Sequence, residues 1–479
     1  MKVLFVLSFL RAASWQMYYS EGIASLSAVL KKNGYETDLF LVEDLKDVKS
    51  LNKYIKKTKP KIIAFSITSV QYPGIRWILK EIKKRFKSIF IVVGGVHCSL
   101  NPNLIIKNPA IDAVCIGEGE YALLELVDKL KKGKSIEKID NLWVRINGKV
   151  VKNKMIESND INKLPEPDRD IFQQKNLDSY TGSVWLKKGL NGGMFLMSRG
   201  CVFECSYCAS PALNAKYGSK YYRLLDFRKG VRQIKKAVKK YKYDYIIFVD
   251  DTFTINKGWV KDFLKLYKKE VGLPFNIQTR INTFDLELMK LIKQTGGYMV
   301  IVGVESGDKK IRELILNRSM TNEQIRQGVK WIKQAGMKVG TYNMMGLPRE
   351  TPNKFKKTLI LNARIESDFP YIFIFYPYEN TKIYRICKDS DLILKKLSSD
   401  FVAREDTPLN LDNFKREDIL YYYKNFNNLF NRLKKIKARE KTVKKLKKDW
   451  WFKIGFMPPS SKWFWLTSRL WKLYNSNIV

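Results

Sequence analysis

The chain has 479 residues, 45% of them hydrophobic, enough for about two to four domains with sizeable cores. Six cysteines, three of them scattered singly at Cys98, Cys115 and Cys387, exclude a disulfide-stapled secreted domain and point to a reducing, cytoplasmic compartment. The 88 Lys and Arg against 47 Asp and Glu give a formal net charge of +41, which admits anionic partners but, spread from Lys31 to Lys472, is equally the solvated surface of a lysine-rich protein.

The opening stretch MKVLFVLSFLRAAS has the layout of a signal peptide and also fits a buried first strand followed by a helix. No run approaches the roughly 18 apolar residues needed to span a bilayer. From there, short apolar runs (KVLFVLSF, ETDLFLV, KIIAFSITS, IFIVVGG, AVCIGEG) alternate with helical patterns such as EGIASLSAVLKKNG and YALLELVDKLKKG. Continuous apolar strands separated by amphipathic helices predict parallel βαβ units, hence an open doubly wound, Rossmann-like sheet over residues 1–145. Ligands of such sheets sit beyond the strand C-termini. Those ends carry Ser66, Thr68 and Ser69 in SITS, Gly94, Gly95 and His97 in GGVH, and Gly117, Glu118 and Gly119 in GEGE. Small residues at three strand ends leave room for something flat and large, although glycine and serine also make tight strand-to-helix turns.

NLWVRINGKVVKNK predicts a hairpin turned at Asn147-Gly148 that closes this domain. Residues 146–185, with Pro165 and Pro167, read as a linker or crossing strap. A second alternating region, residues 186–390, runs from GGMFLMSRGC through DYIIFVDDTFT, FNIQTRI, YMVIVGVESGD, KVGTYNMMGLP and FPYIFIFYPY. It predicts a barrel or partial barrel whose functional groups lie at strand C-termini. Residues 391–479 form a basic, aromatic-rich, mostly helical extension. There Leu433, Ile436, Val443 and Leu446 sort loosely into an apolar stripe amid lysines, and Trp450, Trp451, Trp463, Trp465 and Trp471 follow. A helix capping the barrel is one reading; the mixture of basic and tryptophan residues also suits a membrane surface.

Half the cysteines fall in SRGCVFECSYCAS: Cys201, Cys205 and Cys208, in the spacing C-x3-C-x2-C after an apolar strand. Three soft thiolates so placed can wrap one metal centre. A closed zinc site would want a fourth protein ligand, and the only histidine, His97, is more than 100 residues away. An iron–sulfur cluster with one iron left open accounts for three thiolates better.

This loop resembles the signature of radical SAM enzymes. The resemblance, extending over about residues 1–390, is to the cobalamin-binding-domain-containing branch, which is similar to class B radical SAM methyltransferases. It rests on the cysteine loop with Tyr207 before the third cysteine, on the order of FVDDTFT, IQTRIN, VGVESGD and GLPRET after it, and on GGVH, GEGE and LPEPDRD before it. It implies an α/β chain: an N-terminal doubly wound domain of cobalamin-binding type, a partial (β/α)6 radical SAM barrel, and a mostly helical basic C-terminal extension. It also implies that Cys201, Cys205 and Cys208 hold a [4Fe-4S] cluster, and that S-adenosylmethionine lies against Tyr207, Asp250, Asp251, Gln278, Arg280, Glu305 and Ser306. Cobalamin would lie over Ser66, Thr68, Ser69, Gly94, Gly95, His97, Gly117, Glu118 and Gly119. The chain lacks the D-x-H-x-x-G motif whose histidine ligates cobalt in many cobalamin domains, so His97 is expected to be a loop histidine rather than a cobalt ligand.

The expected activity is cobalamin-dependent methylation of an unactivated carbon by a deoxyadenosyl radical. One alternative is radical carbon–carbon bond formation, cyclisation or rearrangement, with the first domain as scaffold. A non-enzymatic alternative is a zinc or redox-sensing nucleic-acid-binding protein. Expected partners are a small-molecule or lipid substrate, an electron donor such as ferredoxin or flavodoxin, and, through the tail, the inner face of the membrane; nucleic acid is the poorer guess.

Overall fold

The computed structural model describes residues 1–9, 19–156, 159–175, 190–218, 221–395 and 405–438. The chain divides into two compact units, one of Met1–Glu204, Cys208–Ile277 and Tyr378–Thr381, the other of Cys205–Tyr207, Gln278–Pro377 and Lys382–Val479.

The first unit begins with a seven-stranded sheet of β1 (Lys2–Ser8), β2 (Glu36–Val42), β3 (Ile62–Ser66), β4 (Phe90–Gly94), β5 (Ala113–Cys115), β6 (Leu142–Ile146) and β7 (Lys149–Lys152), in the order 2-1-3-4-5-6-7. The first five strands are parallel; β6 and β7 are antiparallel. The run VLFVL is buried throughout because β1 is central: Val3, Phe5 and Leu7 pack into one apolar layer, Leu4 and Val6 into the other. The strand order reverses between β1 and β3, which opens a crevice at the carboxyl ends of the sheet. The Asn147-Gly148 turn has positive φ at both residues, 47° and 79°, as a two-residue hairpin of matching twist requires. The hairpin extends the sheet to Lys152, beyond position 145.

The strap LPEPDRD binds this domain to the strand that follows. Asp168 accepts from Lys31 at 2.7 Å and from the Ser27 hydroxyl, both on the helix Glu21–Lys32. Arg169 lies 3.9 Å from the ring centroid of Phe195 and 4.5 Å from that of Tyr19. The last residues of the expected linker, 176–185, lie outside the described residues.

The strands β8 (Gly192–Phe195), β11 (Tyr245–Phe248), β12 (Phe275–Thr279), β13 (Gly297–Glu305), β14 (Lys338–Met345) and β15 (Phe369–Ile374) form a six-stranded sheet in the order 15-14-13-12-11-8. Its described pairs are parallel, as in a half-barrel. A small antiparallel ribbon, β9 (Ser198–Arg199) with β10 (Arg223–Leu224), flanks the cysteine loop.

In the second unit the helix Arg416–Ala438 buries Ile419, Tyr422, Phe426, Phe430 and Leu433, spaced three or four residues apart, in one cluster with Phe355 and Leu359 of the helix Pro352–Arg364. Leu433 therefore belongs to the protein's own core. Val443, Leu446 and the five tail tryptophans lie outside the described residues, as does the side chain of Ile436. Among the described residues no helix is long and apolar enough to cross a membrane.

Gly307, just past β13, sits where an added Cβ would stand 2.2 Å from the carbonyl oxygen of Lys357, a backbone atom that cannot step aside. Gly307→Ala is expected to destabilise the chain by about 1–3 kcal/mol, the range of overpacking, read as a lowered denaturant midpoint.

Candidate active site

The cysteine loop is placed by the helix that follows it. Cys208 is the N-cap of the helix Ala209–Tyr217, its sulfur accepting from the Ser210 amide at 3.4 Å. That position sets the sulfur at the positive end of the helix. Cys201 is buried, with its sulfur 3.8 Å from the Thr252 hydroxyl and its carbonyl accepting from the Asn214 amide at 2.9 Å. In the second unit, Cys205 is buried and its sulfur accepts from two guanidiniums, Arg280 and Arg318, each at 3.4 Å. Among the described residues no three His, Cys, Asp or Glu side chains are grouped as around a single metal ion. A multi-iron cluster spaces its thiolates farther apart, one per iron, so the surroundings of each sulfur decide the fit. One sulfur at a helix N-terminus and one that accepts from two guanidiniums are surroundings that a metal-ligating cysteine fits.

Asp250, after β11, is 1% exposed. One carboxylate oxygen accepts from the Met197 amide and the Ser198 hydroxyl, while the other is buried without a hydrogen-bond partner among the described residues. Burial pushes its carboxyl up to about 7, against the lowering effect of those hydrogen bonds. Asp251 is exposed and accepts from the Ser210 hydroxyl at 3.3 Å.

In the second unit Tyr207 donates to Glu305 at 2.9 Å, and Arg318 donates to the Tyr207 hydroxyl at 3.1 Å. Glu305 has φ 64° at a bulge in β13, a backbone conformation rare for a residue with a side chain and one that re-aims its carboxylate. Gln278 accepts from the Tyr342 hydroxyl. Ser306 is fully buried: its hydroxyl accepts from the Asp308 amide and its carbonyl from Arg312, so it builds the turn.

At the strand ends of the first unit, Ser66, Gly94, Gly95, Gly117, Glu118 and Gly119 line one cavity of about 240 Å³ beneath the sheet edge. Leu26 and Leu123 form its apolar wall, and Leu196 and Arg199, from the turn just before Cys201, close another side. The volume is below that of sites enclosing a whole drug-sized ligand, so it suits one flat arm of a larger molecule. At Gly119 an added Cβ would meet only the side chains of Leu26 and Cys115, at 3.2 and 3.3 Å. Gly95 is different. Its φ of 98° and the Ile67 backbone 2.8 Å from any added Cβ make it a requirement of the turn itself, so a bulky residue there would disturb the fold rather than merely block a ligand.

Thr68, Ser69 and His97 lie off the cavity lining. Thr68 donates to Gln71, and Ser69 hydrogen-bonds the His97 Nδ1 at 2.9 Å. The Asn101 amide, oriented by Asn380, donates to that same nitrogen, which places the imidazole hydrogen on Nε2, buried without a hydrogen-bond partner among the described residues.

Arg199, Arg223, Glu120, Tyr217 and Arg318 are absent from the sequence-based set. Glu118, which is in it, is held by Arg223 at 2.7 Å and Arg199 at 3.1 Å, and Arg199 also pairs with Glu120 at 2.7 Å. Burial alone would raise the Glu118 pKa, but the Arg223 hydrogen bonds and the Arg199 charge hold it below the ordinary glutamate value. The Tyr217 hydroxyl stands 2.5 Å from where a Cβ on Gly117 would be. The helix Ala209–Tyr217 thus has Cys208 as its N-cap and touches the glycine-lined strand ends with its other end, a span of about 14 Å for nine residues. Arg318, in the unpatterned stretch NRSM, gave no sequence signal at all.

Residues 195–361 match the radical SAM superfamily and residues 8–127 match the B12 binding domain. The chain is 28% identical over 381 residues to an uncharacterized methyltransferase of Pyrococcus horikoshii, covering 78% of this chain and 79% of that protein. It is 26% identical to the anaerobic magnesium-protoporphyrin IX monomethyl ester cyclase of Rubrivivax gelatinosus, covering 70% of this chain and 60% of the cyclase. Its fold is like that of the radical S-adenosylmethionine methyltransferase TsrM from Kitasatospora setae, solved with cobalamin and a [4Fe-4S] cluster bound: TM-score 0.64, 15% identity, 82% of this chain and 79% of that one.

Burial lowers the His97 pKa from 6.5 to about 4. Between those values the unfolded chain binds a proton that the folded chain refuses, so His97 favours the folded state fully above pH 6.5 and loses that advantage as pH falls toward 4. The expected outcome is a loss of up to roughly 3 kcal/mol of stability across this window, absent in His97→Gln, read from urea unfolding at stepped pH.

Proposed function

We propose that this chain, a radical SAM superfamily enzyme with an N-terminal B12 binding domain, is a cobalamin-dependent methyltransferase acting on an unactivated carbon of a small-molecule substrate. The observation that carries this reading is the short helix Ala209–Tyr217, which links Cys208 to the Gly117 rim of the cavity. A radical centre and a methyl donor need that proximity, because both must reach one substrate carbon.

Cys201, Cys205 and Cys208 would hold a [4Fe-4S] cluster, and Ser66, Gly94, Gly117 and Gly119 would face cobalamin. With S-adenosylmethionine these groups supply a 5′-deoxyadenosyl radical for hydrogen abstraction and a methyl group for transfer. The chain's own part is binding, orientation and exclusion of water. The unpartnered oxygen of Asp250 would accept a hydrogen bond from the amino group of S-adenosylmethionine. Arg280, Glu305 and the Tyr207 backbone would bound the same cosubstrate. Leu26 and Leu123 would border one arm of cobalamin, and His97, which lies off the cavity lining, would take no part in holding it. The low-potential electron would come from a ferredoxin or flavodoxin.

A second reading, radical ring closure, is favoured by the likeness to the magnesium-protoporphyrin ester cyclase. Full corrinoid loading with substrate conversion but no methylated product would select it.

Anaerobic reconstitution is expected to give about four irons and four sulfides per chain with cleavage of S-adenosylmethionine, and Cys205→Ala is expected to lose both. Leu26→Phe should fill the cavity and abolish copurified corrinoid while leaving iron content unchanged. Corrinoid bound equally by both proteins would refute the cobalamin assignment.

The basic, tryptophan-rich residues beyond 438 lie outside the described part of the chain, and their composition supports peripheral association with the anionic inner face of the membrane. The full chain is then expected to float with anionic vesicles at low salt and to release at high salt. Truncation after Asn413 would also remove core residues such as Phe426 and Leu433, so the sharper comparison is a chain ending at Ala438, which should not float.

A further inference from the structure

We propose that Arg318, together with Arg280, tunes the reduction potential of the cluster by donating hydrogen bonds to the sulfur of Cys205. The inference rests on the assignment of Cys201, Cys205 and Cys208 as cluster ligands.

Both guanidiniums reach the Cys205 sulfur at 3.4 Å, and both arginines are only 6% exposed. Glu305 lies within electrostatic reach of both guanidiniums and accepts from the Tyr207 hydroxyl to which Arg318 also donates, so the Cys205 sulfur and its two donors sit in one fixed polar group.

Arg318 is also held in place. Its second terminal nitrogen donates to the Gly303 carbonyl at 2.7 Å, so the planar fork is fixed at both tips. A Cβ on Gly303 would lie 2.3 Å from the Glu305 carboxylate and 3.1 Å from the Arg318 guanidinium; the absence of a side chain there is what admits both groups. Hydrogen bonds to ligand sulfur, and positive charge in a buried, weakly screened setting, stabilise the reduced and more negative cluster. Arg318 is a positioning and tuning residue in this account, and its signature is a potential rather than a rate.

The test is a potentiometric titration of the anaerobically reconstituted full chain, followed by low-temperature electron paramagnetic resonance. Arg318→Gln should retain the iron and sulfide content of wild type, but at a fixed potential its reduced-to-oxidised ratio should fall about tenfold, a shift of about 59 mV to more negative potential for a one-electron couple. Arg318→Lys, keeping charge but not the fork, should fall between the two. Arg326→Gln, at an exposed pair with Glu323, should leave the potential unchanged. An iron-replete Arg318→Gln protein with the wild-type potential overturns the proposal. Should Arg318→Gln fail to hold a cluster, the iron-replete Arg318→Lys protein carries the test, and a wild-type potential there overturns the proposal equally. A wild-type chain that takes up no iron and sulfide overturns the cluster assignment and this inference with it, and metal analysis shows that before any potential is measured.

Discussion

The carboxylate of Glu118, gripped by Arg223 at 2.7 Å and Arg199 at 3.1 Å, is the contact on which the first unit's site depends. It stands at the end of β5 and receives its two cations from the ribbon β9–β10, the strands that lead into and return from the cysteine loop. With Glu120, which pairs with Arg199 and accepts from the Ser25 hydroxyl, two carboxylates face two guanidiniums and the buried charges balance. Removing one member strands the others, and an uncompensated buried charge costs about 3–5 kcal/mol. That penalty holds the cavity wall formed by Arg199 and Leu196 against the strand ends, and with it the start of the loop that presents Cys201.

Local physical rules explain why so much of this architecture is legible in the chain. A strand buried on both faces must be apolar at every position, and β1 is; a two-residue hairpin needs left-handed backbone at both positions, and Asn147-Gly148 supplies it. Cys201 and Cys208 fall on the predicted loop, and Asp250 and Glu305 at the ends of the predicted strands, because the motifs are themselves strand-end motifs. What sequence periodicity could not show is which residues far apart in the chain meet. Arg199 and Glu118 are 81 positions apart, and Arg318 and Cys205 are 113. Neither pairing leaves a trace in spacing. The strand-end set divides for a related reason: Ser69 and His97 satisfy each other, which no pattern in SITS or GGVH reveals, whereas Ser66 and the glycines line the cavity.

Glycine illustrates the same limit in one residue type. Gly95 is required by a positive φ and by the Ile67 backbone, Gly119 leaves space that only side chains border, and Gly303 admits two charged groups. In the sequence these are three identical letters. Only the atoms around the missing Cβ separate a turn requirement from room for a ligand or for a charge.

The net charge of +41 carries less information than a few of its members. Along the helix Phe227–Tyr241 three lysines pair with carboxylates at the surface, Lys235 with Glu270, Lys236 with Glu166 and Lys240 with Asp170. Such exposed pairs contribute about 0–1 kcal/mol each and are screened by salt. The cations that contact Glu118 and Cys205 are arginines, Arg199 and Arg223 partly buried and Arg280 and Arg318 buried. A lysine ammonium is compact, strongly hydrated and free to lose its proton when buried, whereas guanidinium keeps its charge and offers donors in a fixed plane. Where the fold holds a carboxylate at a strand end or a sulfur between two donors, permanence of charge and rigidity of direction are the two properties that matter. The positions of these few arginines therefore carry the functional meaning of the charge, while the lysines keep the surface solvated.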